Sequence, residues 1–159
     1  MRLTFSTKQA FIPRLYKTIS WPVVELAILS EFHPPIRQKV LIDTGSTNSI
    51  FPISLAPYMG ISDIRELPTI QLGAGAGVVK AYVTQASLSI ETPGRPDTGW
   101  EWTGEIVLAN VRTSHYGVLG HLGFLEYFDF ELRSEMEQFS LEDNSRFAGQ
   151  KRESTHHDM

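Results

Sequence analysis

The chain predicts an all-β fold that carries one short helix near its C-terminal end. Three observations point there. Runs of aliphatic and β-branched residues recur along the chain, bounded by Pro, Gly, Asp and Ser. A glycine-rich tip at 73–77 lies between two stretches of strand character. Helical spacing of apolar side chains is short, as at Leu122, Leu125 and Phe128.

The elements follow in order. Residues 3–8 and 11–19 have short mixed patterns and read as an N-terminal strand with a lead-in. Val23 to Leu29 is rich in Val, Ile and Leu and reads as a strand, broken by His33-Pro34-Pro35. Lys39 precedes a second apolar stretch, Val40 to Ile42, so the two strands form a hairpin that feeds the turn at Asp43. Residues 52–60 fit a helical turn that stops at Gly60. Strands at 68–72 and 78–90 flank the glycine-rich tip. Thr92 to Gly99, with two prolines and two glycines, reads as a surface loop. Trp100 to Leu108 is a strand, and 121–128 is the short amphipathic helix. Residues 128–133 and 137–141 form a closing hairpin around Ser134-Glu135. The expected division is one domain over 1–142, then a polar, disordered tail over 143–159.

Composition narrows the function. A chain of 159 residues with 42% hydrophobic content can bury a real core. It has no cysteine, which removes disulfides, thiolate metal sites and a cysteine nucleophile. Net charge is −4 with no basic stripe, so nucleic acid is not an expected partner. No apolar run reaches membrane-helix length and the first ten residues lack the apolar block of a signal peptide, so no membrane partner and a cytoplasmic location are expected. His33, His115 and His121 have no zinc-ligand spacing, and Ser46 and Ser49 have no G-x-S-x-G context. No metal and no cofactor are implied.

The chemistry-bearing stretch is V-L-I-D-T-G-S-T-N-S-I-F at 40–51, an apolar run that stops at Asp43, Thr44, Gly45 and Ser46. Taken alone, Asp-Thr-Gly is a turn that ends a strand. A carboxylate at the end of a buried strand is costly unless it finds donors. Gly45 allows a tight turn that brings backbone N–H groups to it, and Thr44 and Ser46 supply hydroxyls that can donate to one another or to Asp43. The tip at 70–81 is I-Q-L-G-A-G-A-G-V-V-K-A, where Gly73, Gly75 and Gly77 permit positive φ and close backbone approach. It is neither a phosphate loop nor a dinucleotide fingerprint: Lys80 follows no Gly, and the last fingerprint position falls on Val78. Downstream, G-V-L-G at 117–120 places Gly120 where a second strand passes close.

These three elements, in this order, resemble the retropepsin-like aspartic proteases. The D-T-G-S at Asp43 to Ser46 resembles their catalytic motif. The segment Leu72, Gly73, Ala74, Gly75, Ala76, Gly77 and Val78 resembles their flap, which closes over peptide. Val118, Leu119 and Gly120 resemble the apolar-apolar-Gly segment that packs beneath the catalytic turn. The resemblance spans residues 40–128 and implies an acid-protease-type closed barrel, a homodimer, and a peptide or protein substrate cut by water activated between two Asp43 carboxylates. A catalytically silent dimerisation or peptide-binding module of the same fold is the alternative.

Two positions depart from the pattern. Thr47 and His121 stand where retroviral enzymes carry an Asp and an Arg that form an ion pair. A hydroxyl–imidazole hydrogen bond is the expected replacement, which would tie subunit association to the protonation of His121. Phe130, Leu132, Met136, Phe139 and Leu141 of the closing hairpin either interleave with a partner's strands or complete the chain's own barrel.

Overall fold

A computed structural model describes residues 1–74, 77–110 and 117–153. Thirteen strands are present among them: β1 (Arg2–Ser6), β2 (Lys8–Ile12), β3 (Lys17–Trp21), β4 (Val23–Leu29), β5 (Ile36–Ile42), β6 (Ile50–Pro52), β7 (Thr69–Ala74), β8 (Gly77–Thr92), β9 (Arg95–Ala109), β10 (Gly117–Leu119), β11 (Phe128–Arg133), β12 (Gln138–Asp143) and β13 (Gln150–Arg152). The fold is all-β. Six strands close a barrel in the order β9-β6-β10-β5-β4-β8, with β8 pairing back onto β9. β7 and β13 extend it at the edges. β1, β12 and β11 form a separate three-stranded sheet, and β2 with β3 forms a two-stranded one.

Period-two burial builds the core. On β9, Trp100, Trp102, Ile106 and Leu108 are all buried and point to one face, as alternation along a strand requires. They meet Leu26 and Ile28 of β4, Val40 and Ile42 of β5, and Leu88 and Ile90 of β8. Phe124 and Phe128 close one end against Trp102, with ring centroids 6.0 and 5.1 Å away. The three-stranded sheet joins this core through Phe5 and Phe139, stacked at 5.2 Å. A smaller cluster of Leu72, Ala81, Val107 and Ala109 lies at the base of the β7–β8 hairpin.

The expected strand over Val23 to Leu29 is β4, and the helical turn before Gly60 is a 3₁₀ helix, Ile53–Met59, with Gly60 at φ 78° as its left-handed cap. Three expectations need correction. The stretch 121–127 is a series of turns rather than a regular helix: Leu125 and Glu126 N–H donate five residues back, to Gly120 and His121. Gly123 is the cause. It sits at φ 83°, and a Cβ there would lie 2.0 Å from Glu105 O of β9, so the chain is pressed flat against a strand where a helix has no room. The loop expected over 92–99 is only the Pro93-Gly94 turn, because β9 begins at Arg95 and pairs with β8 from Thr92 onward. Gly99 permits that pairing, since a Cβ would lie 2.1 Å from Ile90 O.

The polar stretch after residue 142 is held down through residue 153. β13 pairs with β9, and Phe147 packs on Phe128 at 5.2 Å. The buried Asp143 carboxylate accepts from the Met1 ammonium at 2.7 Å and Trp100 Nε1 at 3.0 Å, and pairs with Lys151 Nζ at 2.5 Å. Burial pushes this carboxyl up, but the donors from Lys151, Met1 and Trp100 outweigh it and hold it at about 2. The rest of the expected tail, 154–159, lies outside the described residues.

Candidate active site

Asp43 sits one residue past β5, at the point where three backbone segments cross. β10 runs parallel to β5, with Val118 beside Leu41 and Leu119 beside Ile42. It also pairs antiparallel to β6 through Val118 and Ile50. The 117–122 segment therefore threads between the two arms of the loop that carries D-T-G-S. Asp43 N–H donates to Leu119 O at 2.9 Å, and His121 and Leu122 N–H donate to Ser46 and Thr47 O at 3.0 and 2.8 Å. Such threading leaves no space for a side chain at Gly120. A Cβ there would lie 2.4 Å from Asn48 O and 2.6 Å from Ser46 O, as expected of a residue beneath a passing strand.

The turn itself aims one donor at the carboxylate. Gly45 N–H donates to Asp43 Oδ1 at 2.9 Å, and Ser46 N–H donates to Asp43 O at 3.1 Å. Asp43 is partly exposed while Thr44 and Gly45 are open to solvent, so the carboxylate can be reached. The hydroxyl of Ser46 does not serve Asp43. It donates to Asn48 O at 2.7 Å, bracing the loop from within. The imidazole of His121 also departs from expectation: its Nε2 lies 3.0 Å from the Thr44 backbone carbonyl, not on the Thr47 hydroxyl. A carbonyl only accepts, so Nε2 carries the proton in this contact.

Ser49 is the residue that sequence reasoning set aside. It is 1% exposed. Its Oγ accepts from Gly120 N–H at 3.1 Å and donates to Leu122 O at 2.7 Å, so one hydroxyl satisfies two backbone groups where the segments cross. Its only sequence signal is a small polar residue inside the apolar exit of the motif.

β7 and β8 form an antiparallel hairpin, with Leu72 opposite Val79 and Ala74 opposite Gly77. Val78 is 66% exposed, whereas Leu72 is buried against Ala81, Val107 and Ala109 and anchors the hairpin. Gly73 and Gly77 are not at positive φ, and a Cβ on either would meet nothing within 4 Å. Neither glycine is there for close approach. Gly75 and Ala76 lie outside the described residues. An open cavity of about 370 Å³ lies at the motif, lined by Asp43 and Thr44 together with Ile19 and Trp21 of β3 and Phe130 and Leu132 of β11.

No protein-family model matches the chain. No curated protein matches it either. Among solved structures it is similar to a retropepsin-like aspartic protease from Rickettsia conorii, at TM-score 0.57 and 16% identity, over 88% of this chain and 98% of that one. It is also similar to EIAV protease complexed with the inhibitor HBY-793, at TM-score 0.36 and 20% identity, over 64% of this chain and 82% of that one. The chain has the retropepsin-like fold. Among the described residues no helix is long and apolar enough to cross a membrane.

Proposed function

We propose that the chain is an aspartic endopeptidase that works as a homodimer, with Asp43 of each copy facing its twin across a two-fold axis. The observation that carries this reading is the Asp43 turn: an accessible carboxylate, oriented by Gly45 N–H at 2.9 Å and fixed from below by Leu119. One such turn per chain supplies one carboxylate, so the pair requires two chains.

Two carboxylates brought face to face in this way share one proton and titrate together. The ionised member takes a proton from a water held between them, and that water attacks the scissile carbonyl carbon. The protonated member donates to the developing oxyanion, and the pair then protonates the leaving amine. The β7–β8 hairpin covers the peptide, which binds as an added strand along its edge. Exposed Thr44 would meet the partner's turn, and the His121 contact to its carbonyl holds it in place for this. The protease unit extends past residue 142 to include β13, since Asp143 and Phe147 are part of its packing.

Digestion of a broad peptide library tests the reading, with wild type beside Asp43→Asn. Asn is nearly isosteric and removes only the titrating group. Wild type should cleave and should bind pepstatin-like inhibitors, which resemble the tetrahedral intermediate, more tightly than the variant does. Cleavage by Asp43→Asn near the wild-type rate would refute it.

A further inference from the structure

Two hairpins each contribute a strand to the lining of the cavity at Asp43, and they are alike in shape and opposite in charge. One is β2–β3, the other β11–β12. Each turns through a three-residue 3₁₀ helix followed by a left-handed residue: Pro13–Leu15 then Tyr16 at φ 49°, and Ser134–Met136 then Glu137 at φ 53°. Position for position, Arg14 stands where the other tip has Glu135, and Leu15 where it has Met136. Residues 8–21 hold Lys8, Arg14 and Lys17 and no carboxylate, while 128–143 hold six carboxylates and one arginine.

Neither tip is satisfied among the described residues. Among the described residues β2 and β3 pair only with each other, and an isolated two-stranded hairpin is marginal in water. Leu15 and Tyr16 are 62% and 88% exposed, and Met136 is 53% exposed. Arg14, Lys17, Glu135 and Glu137 are exposed and make no ion pair among the described residues. Of the other acids of this hairpin, Glu131 pairs with Arg2 and Arg133, Glu142 with Arg2 and Asp143 with Lys151, so the unpaired negative charge is that of Glu135 and Glu137 at the tip and of Asp129 at the opposite end of β11.

We propose that the basic β2–β3 hairpin is an arm that clasps the acidic β11–β12 hairpin of a second copy of this chain. The inference rests on the homodimer reading above and deepens it. A two-fold axis makes every contact occur twice. Arm against arm would set like charges together, as would acidic hairpin against acidic hairpin. Arm against acidic hairpin pairs opposite charges at both ends and covers Leu15, Tyr16 and Met136. The cavity lining gives the location: Ile19 and Trp21 of the arm and Phe130 and Leu132 of the hairpin line the same cavity as Asp43 and Thr44. A second copy that brings its Asp43 to this one therefore meets both. Like-charge repulsion disfavours arm-on-arm and hairpin-on-hairpin arrangements, so the same residues favour the productive one.

The experiment uses two charge-reversed variants of the full chain: Arg14→Glu with Lys17→Glu, and Glu135→Lys with Glu137→Lys. All four positions are exposed, so circular dichroism should match wild type. Each variant alone should dimerise at least about tenfold more weakly by sedimentation, because both symmetric contacts become repulsive. An equal mixture of the two variants should recover the dimer, since in the mixed pair each arm again faces a hairpin of opposite sign. Recovery on mixing excludes an arm that contacts its own chain. Wild-type association should also weaken at least about tenfold between about 0.05 and about 0.5 M salt, a test that needs no variant. A dimeric wild type with equally dimeric variants, no recovery on mixing, or a salt-independent dimer would each overturn the clasp and leave the homodimer reading intact. A wild type that is monomeric at every concentration would overturn both.

Discussion

Replacing Gly120 by alanine puts a methyl carbon 2.4 Å from Asn48 O, 2.6 Å from Ser46 O and 2.8 Å from Asn48 C. These are backbone atoms and cannot swing aside as a side-chain tip could. Ordinary contact begins near 3.4 Å, so both carbonyls must retreat by about 0.8 to 1 Å. Ser46 O accepts from His121 N–H and Asn48 O accepts from Ser46 Oγ, so the retreat stretches two hydrogen bonds as well. Overpacking costs about 1–3 kcal/mol and each weakened bond up to about 1 kcal/mol. A net loss of about 3 kcal/mol is expected, which in a chain of this length lowers Tm by about 9 °C. The displaced loop carries Asp43, and a shift of about 1 Å at a reacting group costs about a hundredfold in rate. The paired control is Gly73→Ala, where a Cβ meets nothing and φ is not positive, so stability should stay within about 0.5 kcal/mol. Thermal melts and peptide cleavage on both variants provide the assay. A Gly120→Ala protein that melts with wild type, or one no worse than Gly73→Ala, would show that the crossing beneath Asp43 is not as tight as described.

Three further outcomes follow from named contacts. Ser49→Ala leaves the buried Gly120 N–H without its partner and removes a bond to Leu122 O, and should cost about 1–3 kcal/mol in denaturant unfolding. Ser46→Ala should cost about 1 kcal/mol yet leave the acidic limb of the pH–rate profile in place, because the Ser46 proton is committed to Asn48 O and not to Asp43; an acidic limb that moves would contradict this. Asp143 is held at about 2 in the folded chain, below its ordinary 3.8. The stability this supplies is present above about pH 4 and is lost as pH falls through about 2, and it amounts to about 2 kcal/mol. Denaturation of wild type and Asp143→Asn at neutral and strongly acid pH should show the difference between them shrinking across that window; a constant difference would contradict it.

The parts of the site that could be read from sequence are those where local chemistry dictates the backbone. The Val-Leu-Ile run into D-T-G-S marks a buried strand that ends at a carboxylate, and G-V-L-G marks a strand that must pass another closely; both are as expected, with Gly120 under Asn48 O. The misreadings have tertiary causes. Leu122, Leu125 and Phe128 have helical spacing, but Gly123 is pinned against Glu105 O of a strand distant in sequence. Pro93 to Gly99 has the composition of a loop, yet Gly99 is there to let β8 approach β9. The polar stretch after 142 gave no hint that Asp143 would be buried, because its partners Trp100 and Lys151 are brought to it only by the fold. Ser46 and Ser49 look equivalent in sequence. The crossing of β10 assigns one to brace the loop and the other to satisfy the threaded strand.

The central claim is that two copies of Asp43 make one active site. Peptide cleavage and molecular mass measured together over a dilution series test it most directly. The account predicts that specific activity falls in step with the dimer fraction as the protein is diluted through its dissociation constant. Full specific activity from a sedimenting monomer would contradict it.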